Sequence, residues 1–333
     1  MSTIKDVAKL ANVSISTVSY ALNNTGNVSE ETRKKILNAA KELDYKPSGI
    51  ARSLKTKKTE IIGVFLNNFN GPIYSEIIRG VSDVVKANGY EIIVAECMST
   101  RKSLSRLFAQ RIVDGAIVLS PNVPDKLIKE YASSNFPIVT LDRELKYDYV
   151  SSVLIDNKNA CYNVIRYLSE QGYKDVALIN GPKGTYDSEK RHEGFKEGIK
   201  NFNMNLKKQW ECIGNFEEES GYNIAQKIIK SGDIPEVFCA ANDEMAIGVV
   251  KALRENNIKI PKEVAVIGFD DIQLCEYITP KLTTVRRPAY DLGVLATYTL
   301  LDSLKGNTES KIKMLSTEMV IRETLVERSK KIK

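Results

Sequence analysis

Apolar residues recur with two different periods along this chain, and the change of period divides it. In residues 3–23, TIKDVAKLANVSISTVSYALN, Ile4, Val7, Ala8 and Ala11 fall at i, i+3, i+4 and i+7, one face of a short helix. Thr3 and Asp6 form an N-terminal capping pair. Asn12, Val13 and Ser14 break the pattern, Ser14 caps a second helix, and Val18, Ala21 and Leu22 give that helix a short apolar face. After the loop 24–28, Ser29 caps a third helix, Glu30 and Glu31 suit its N-terminal dipole, and Ile36, Leu37, Ala40 and Leu43 make its stripe. Pro47 stops it. Residues 48–56, SGIARSLKT, place Ile50 and Leu54 four apart, yet the segment is shorter than the roughly 12–15 residues that an isolated helix needs.

From Glu60 the period shortens. Apolar runs predict strands at 61–66, 90–96, 116–119, 137–141, 153–155, 175–180, 237–241 and 264–269. Amphipathic stretches predict helices near 73–88, 102–111, 125–134, 159–171, 189–203, 220–231, 243–256 and 290–305. Alternation of this kind implies parallel sheets covered on both faces, and so many strands suit two similar lobes divided near residue 155, where the unpatterned stretch 144–152 ends. The expected fold is therefore a three-helix headpiece (1–46), a linker or hinge helix (47–58) and an α/β core of two doubly wound parallel-sheet lobes (59–333).

Two helices joined by a three-residue turn, with small Ala8 and Ala11 at the crossing, match either a helix-turn-helix, whose second helix enters the DNA major groove, or an ordinary helical hairpin. Charge favours DNA. Residues 1–60 hold 11 Lys/Arg against 6 Asp/Glu, which leaves 37 against 36 in the remaining 273, so the basic excess sits where phosphate would be met. The exposed face of the second helix offers Ser16, Thr17, Tyr20 and Asn23 to base edges, and Thr3, Ser14 and Ser29 at helix starts are the further groups expected at DNA. Arg33, Lys34 and Lys35 meet phosphate or are merely solvated. The segment 48–56 is either a plain linker or a hinge helix that orders on DNA and inserts Leu54 into the minor groove, flanked by Arg52 and Lys55.

The five cysteines are widely spaced and never in a CxxC pair, which predicts neither disulfides nor a zinc site. No basic start with an apolar run and no stretch of 18 apolar residues occurs, so a cytoplasmic chain with no membrane contact is expected. His192 is the only histidine, and GxSxG, GxxxxGK[ST] and a GxGxxG after the first strand are absent, so no catalytic group, metal or cofactor is expected. In open parallel sheets ligands lie beyond the C-terminal strand ends. That rule selects 67–74, Asp142, 180–191, Asn242, Asp243 and Asp270, with the aromatics Phe69, Tyr74 and Phe216. Planar amides, carboxylates and guanidinium beside rings suit a small polar ligand such as a sugar.

The motifs TIKDVAKLANVSISTVSYALN, VSEETRKKIL, YKPSGIARSLKT, EIIGV, VDGAIVL, RHEGF, ANDEMAIG, VIGFDD and PKLTTVRRP, in that order, resemble the LacI/GalR family of bacterial transcription regulators over nearly the whole chain. The resemblance implies a homodimer on a near-palindromic operator and a core like periplasmic sugar-binding proteins. In that core the chain crosses three times between lobe one (about 60–155 plus 286–315) and lobe two (about 156–285 plus 316–328). It also implies that Asn68 and Tyr74 lie near the effector, with Asp142, Arg191, Phe216, Asn242 and Asp270 completing the pocket. Tyr20 stands where many members have Arg, Asn67-Asn68 where Pro-Asp is common, Gly71 for Asn and Ile73 for Phe. The C-terminal VIRETLVERSKKIK stops short of a tetramerising heptad helix, which favours a dimer. Two regulator readings remain: repression of a carbohydrate-utilisation operon under a sugar effector, or global catabolite control with a phosphorylated carrier protein as co-repressor. A solute-binding protein lacks its export signal here, and an enzyme lacks its catalytic groups.

Overall fold

The chain is described by a computed structural model over residues 2–23, 25–46, 58–97, 108, 112–307 and 309–326. It forms two units, Met1–Thr59 and Glu60–Lys333. In the first, α1 (Ile4–Ala11), α2 (Ile15–Leu22) and α3 (Glu30–Glu42) bury Val7, Ala8, Val18, Ala21, Ile36, Ala39 and Ala40 against one another. The caps fall where the sequence places them. The Asp6 carboxylate accepts the N–H and hydroxyl of Thr3, Ser14 Oγ accepts Thr17 N–H at 3.1 Å, and Ser29 Oγ accepts Thr32 N–H at 3.3 Å. The 48–56 segment, with Arg52, Leu54 and Lys55, lies outside the described residues, as does most of the 102–111 helix.

In the second unit, period-2 alternation sorts each strand between two helical layers. One sheet runs β11-β5-β4-β3-β1-β2, all parallel: β1 (Ile61–Leu66), β2 (Glu91–Glu96), β3 (Gly115–Val118), β4 (Ile138–Leu141), β5 (Val150–Ile155) and β11 (Ile312–Leu315). Ile62, Val64, Leu66, Ile117, Val139 and Val153 face α4 (Pro72–Ala87) and α10 (Ala289–Leu304). Phe65, Ala116, Val118, Ile138 and Val150 face the other way, toward α5 (Asp125–Tyr131).

The second sheet, β7-β6-β8-β9, comprises β6 (Val176–Asn180), β7 (Glu211–Ile213), β8 (Val237–Ala240) and β9 (Ala265–Ile267). Its faces are covered by α6 (Asn157–Glu170) with α7 (Tyr186–Asn201), and by α8 (Glu218–Lys230) with α9 (Asp243–Glu255). The antiparallel pair β10 (Thr284–Arg286) and β12 (Glu318–Val320) flanks the return of the chain to α10 and β11. The two doubly wound parallel sheets match the fold class expected.

Several boundaries differ from the sequence reading. Strand β5 starts at Val150 rather than 153, because Ser151 and Ser152 are buried with their hydroxyls partnered: Ser152 Oγ meets Thr140 Oγ1 at 2.9 Å and accepts Leu145 N–H. Satisfied serines make a core strand look like a loop. Helix α5 ends at Tyr131 rather than 134, where Ala132 turns extended and Ser133 bridges Phe136. Strands β7, β10, β11 and β12 carry no apolar run, being short or exposed on one face.

Helix pairs meet through glycine. A Cβ on Gly80 would lie 2.2 Å from Tyr290 O and one on Gly293 2.2 Å from Ile77 O, so α4 and α10 touch backbone to backbone. Gly221 and Gly248 do the same for α8 and α9, at 2.1 Å from Met245 O and Glu218 O.

Candidate functional site

In each sheet the chain reverses its winding direction once. The first sheet switches between β1 and β3, and the second between β6 and β8, so the loops after those strands diverge and open a crevice. The two crevices share one cleft of about 580 Å³. All seven residues expected at the effector line it: Asn68 and Tyr74 after β1, Asp142 after β4, Arg191 on α7, Phe216 after β7, Asn242 after β8 and Asp270 after β9. Phe69 does not join them; it is exposed.

Each of these groups is held by the fold in a particular way. Arg191 is buried: its Nε donates to Asn157 Oδ1 at 2.8 Å, Nη1 to Ala241 O and Nη2 to Asp270 Oδ1 at 3.3 Å, while its plane lies 3.7 Å from the Phe269 ring centroid. Asn242 has both ends of its amide engaged, Oδ1 accepting Met245 N–H as the cap of α9 and Nδ2 donating to Phe216 O. It therefore positions Phe216. Asp142, Phe216 and Asp270 have φ of 49°, 71° and 115°, a backbone region costly for side-chain-bearing residues and characteristic of functional loops.

The tip of the Phe216 ring abuts Gly181, where a Cβ would come 2.2 Å from its Cζ. Gly181→Ala should swing the ring out of the cleft with little cost to the fold, since only a side-chain tip must move. We expect effector affinity to fall about tenfold, the scale of one lost apolar contact surface. Calorimetric titration checks it, and unchanged affinity would remove Phe216 from the binding surface.

Sequence reasoning missed Arg287 and Arg143, and included Asp187 only as part of the loop 180–191. Arg287, just past β10, is buried and donates through Nη2 to Asp142. Asp187 Oδ2 lies 3.9 Å from Arg191. Arg143 fastens the loop after β3, donating to Val123 O, Ser120 O and Asp125. The motif PKLTTVRRP contains Arg287, but nothing local marks which of its two arginines turns inward. The adjacent acids also divide: Asp270 faces the cleft, whereas Asp271 pairs with Arg286 at 2.8 Å and Arg322 at 2.7 Å, binding β10 to the segment after β12.

Burial pushes the Asp142 and Asp270 carboxyls up, opposed by Arg287 for the first and by Arg191 and Arg287 for the second. Asp243, beneath the cleft, accepts from Thr284 Oγ1 and Ile272 N–H, yet burial and then the charge of Asp270 push its carboxyl up to about 7. Unfolded, it would titrate near the ordinary value of about 3.9. Between those values the folded chain binds more protons, so this group makes stability fall as pH rises from about 4 to 7. Asp243→Asn can still accept Ile272 N–H through Oδ1 while its Nδ2 donates to Thr284 Oγ1, reversing that bond, and its urea midpoint should fall less than wild type between pH 5 and 7.5; parallel slopes would refute the assignment.

In the headpiece, Ser14, Ser16, Tyr20 and Asn23 are exposed and Thr17 is half-buried. Ser14 Oγ lies 2.7 Å from both Ser16 Oγ and Thr17 Oγ1, a local hydroxyl cluster at the start of α2. Asn23 Nδ2 donates to Ser19 O, and the Tyr20 ring covers Gly26 in the loop after α2. Arg33 donates to Ala21 O, closing the C-terminal end of α2, and Lys35 pairs with Glu31. Among the described residues no helix is long and apolar enough to cross a membrane, and no cluster of His, Cys, Asp or Glu is arranged to hold a metal ion.

Residues 3–48 match the bacterial regulatory proteins, lacI family, and residues 165–325 a periplasmic binding protein-like domain. The chain is 35% identical to the HTH-type transcriptional repressor PurR of Erwinia tasmaniensis, across 98% of this chain and 96% of that protein. Among solved structures it is similar to the Lac repressor dimer bound to operator and the anti-inducer ONPF, with TM-score 0.82, 25% identity, and 97% and 98% of the two chains covered. It is also similar to the transcriptional regulator CelR in complex with cellobiose, with TM-score 0.74, 27% identity, and 98% and 100% covered.

Proposed function

The chain belongs to the lacI family of bacterial regulatory proteins and is a DNA-binding transcriptional repressor, and from that premise we propose that a small sugar or sugar derivative bound in the cleft sets its affinity for an operator. The observation that carries this reading is the convergence of Asn68, Tyr74, Asp142, Arg191, Phe216, Asn242 and Asp270 on one cleft between two sheets. Hydroxyls find acceptors and donors there, and the sugar's apolar face finds Phe216. The repressor works in the cytoplasm as a homodimer, each copy presenting α2 to one half of a near-palindromic operator. Ser16, Thr17, Tyr20 and Asn23 read the half-site from α2, with Thr3, Ser14 and Ser29 as further contacts.

The cleft's wall joins elements of both lobes, so a ligand favouring one lobe angle shifts the population toward it. Shifts of this kind reach DNA through residues 47–58, where Arg52 and Lys55 flank Leu54 as a minor-groove wedge. Kinking an operator costs roughly 1–6 kcal/mol, so a chain without its wedge keeps only weak, salt-sensitive binding. Leu54→Ala should therefore lose operator affinity and bending together in a gel-shift and bend assay; equal bending by both proteins would discard the wedge. A thermal-shift screen of sugars on the full chain, repeated with phosphorylated carrier protein, tests the effector. A response to the carrier protein alone would replace the sugar reading by the co-repressor one.

A further inference from the structure

The positive charge of the cleft is already engaged within the protein. Arg191 is held by Asn157, Ala241 O and Asp270, Arg287 by Asp142, and Arg143 by Asp125 and two carbonyls. Around these three guanidiniums the same wall carries Asp187, Glu189, Glu217 and Glu244 as well. The acidic field reaches inward: after burial, the charge of Asp187 and then those of Asp142 and Asp270 raise the Tyr74 hydroxyl against the opposing Arg287, and those of Asp270, Glu217 and Glu218 raise Glu244.

Within this wall, two buried polar atoms are left without a partner, Asp142 Oδ1 and Arg287 Nε. They belong to one ion pair, one an acceptor and the other a donor. Unpaired buried groups of this kind are costly, so a ligand that turns them to the cleft surface and satisfies both is favoured. A hydroxyl donates and accepts, and it meets both requirements. The oxygen of a phosphate or carboxylate only accepts; it would meet Arg287 Nε but face Asp142 Oδ1 with like charge and no proton between them.

We propose that the cleft selects an effector bearing no anionic group, with Asp142 Oδ1 and Arg287 Nε jointly reading its hydroxyls, and rejects the phosphorylated or carboxylated form of the same sugar. This inference rests on the sugar reading and narrows it. Arg287 is thereby a specificity-determining residue.

The test is calorimetry and thermal shift on the full chain with a matched panel: ribose, glucose, galactose and cellobiose against ribose 5-phosphate, glucose 6-phosphate, glucuronate and galacturonate. The tightest ligand should be neutral, with its anionic counterpart at least about tenfold weaker, the scale of one unit charge at cleft distances. An anionic sugar binding tightest would overturn the inference and leave the sugar reading standing, whereas no response to any member would overturn the sugar reading and this one with it. Glu244→Gln removes one wall charge and should narrow the neutral-to-anionic ratio severalfold. An unchanged ratio would assign the rejection to shape and overturn its electrostatic basis.

Discussion

Arg191→Ala abolishes the effector response and lowers stability by about 3–5 kcal/mol, the usual cost of removing one partner from a buried ion pair. Four groups lose their partner at once: Asp270 Oδ1, Asn157 Oδ1, Ala241 O and the face of Phe269. The first matters most, because Asp270 is already raised by burial and Arg191 is the strongest influence holding it down. Without that guanidinium the carboxyl rises further, so the penalty should shrink as pH falls and the proton returns. Urea unfolding at pH 5 and pH 7.5, beside an effector titration of operator binding, measures both effects. Operator affinity without effector should persist at denaturant concentrations well below the lowered midpoint. A variant within 1 kcal/mol of wild type at both pH values would show that Arg191 does not support the second lobe, and one still answering the effector would show that it does not read the ligand.

Gly80→Ala combined with Gly293→Ala should be comparably damaging through packing alone. In an exposed helix, Gly to Ala gains roughly 1 kcal/mol of propensity. Here each new Cβ would sit 2.2 Å from a carbonyl oxygen of the opposing helix, so α4 and α10 must separate. Overpacking of this kind costs about 1–3 kcal/mol per site, and the two contacts are reciprocal, so the pair is expected to be non-additive: once one Cβ has separated the helices, the second costs less. Both helices cover the first sheet, and α4 begins at the cleft with Ile73 and Tyr74. Loosening them should therefore weaken effector binding as well as lower the urea midpoint. Denaturation of the two single variants and the double variant gives the coupling directly; a double variant as stable as wild type would mean that the helices do not meet through these glycines.

The glycine contacts follow from no local pattern; Arg191 was named by the sequence, but its partners were not. Of the seven residues expected at the effector, six lie in loops that follow apolar runs, where parallel sheets open; the choice among the residues of those loops, and Phe216 after the patternless β7, came from the family resemblance. Arg287 was not, because it comes after β10, a three-residue strand with no apolar run. Asn242 read as a ligand group, yet its amide caps α9 and holds the backbone at Phe216. Arg33 stood among possible phosphate contacts, and through Nη1 it also closes the end of α2.

The sequence by itself determined the three capped helices of the headpiece, the alternating strands and helices of the core, and the strand ends at which a ligand would be met. Capping, helical periodicity and strand alternation depend on neighbours within a few residues, so they are written locally. Tertiary structure alone decided which charges neutralise one another. Arg287 and Asp142 are 145 positions apart, and Arg191 and Asp270 are 79. Desolvation makes pairing compulsory for buried charges, but only the winding of the two sheets brings these strand ends close enough to choose partners.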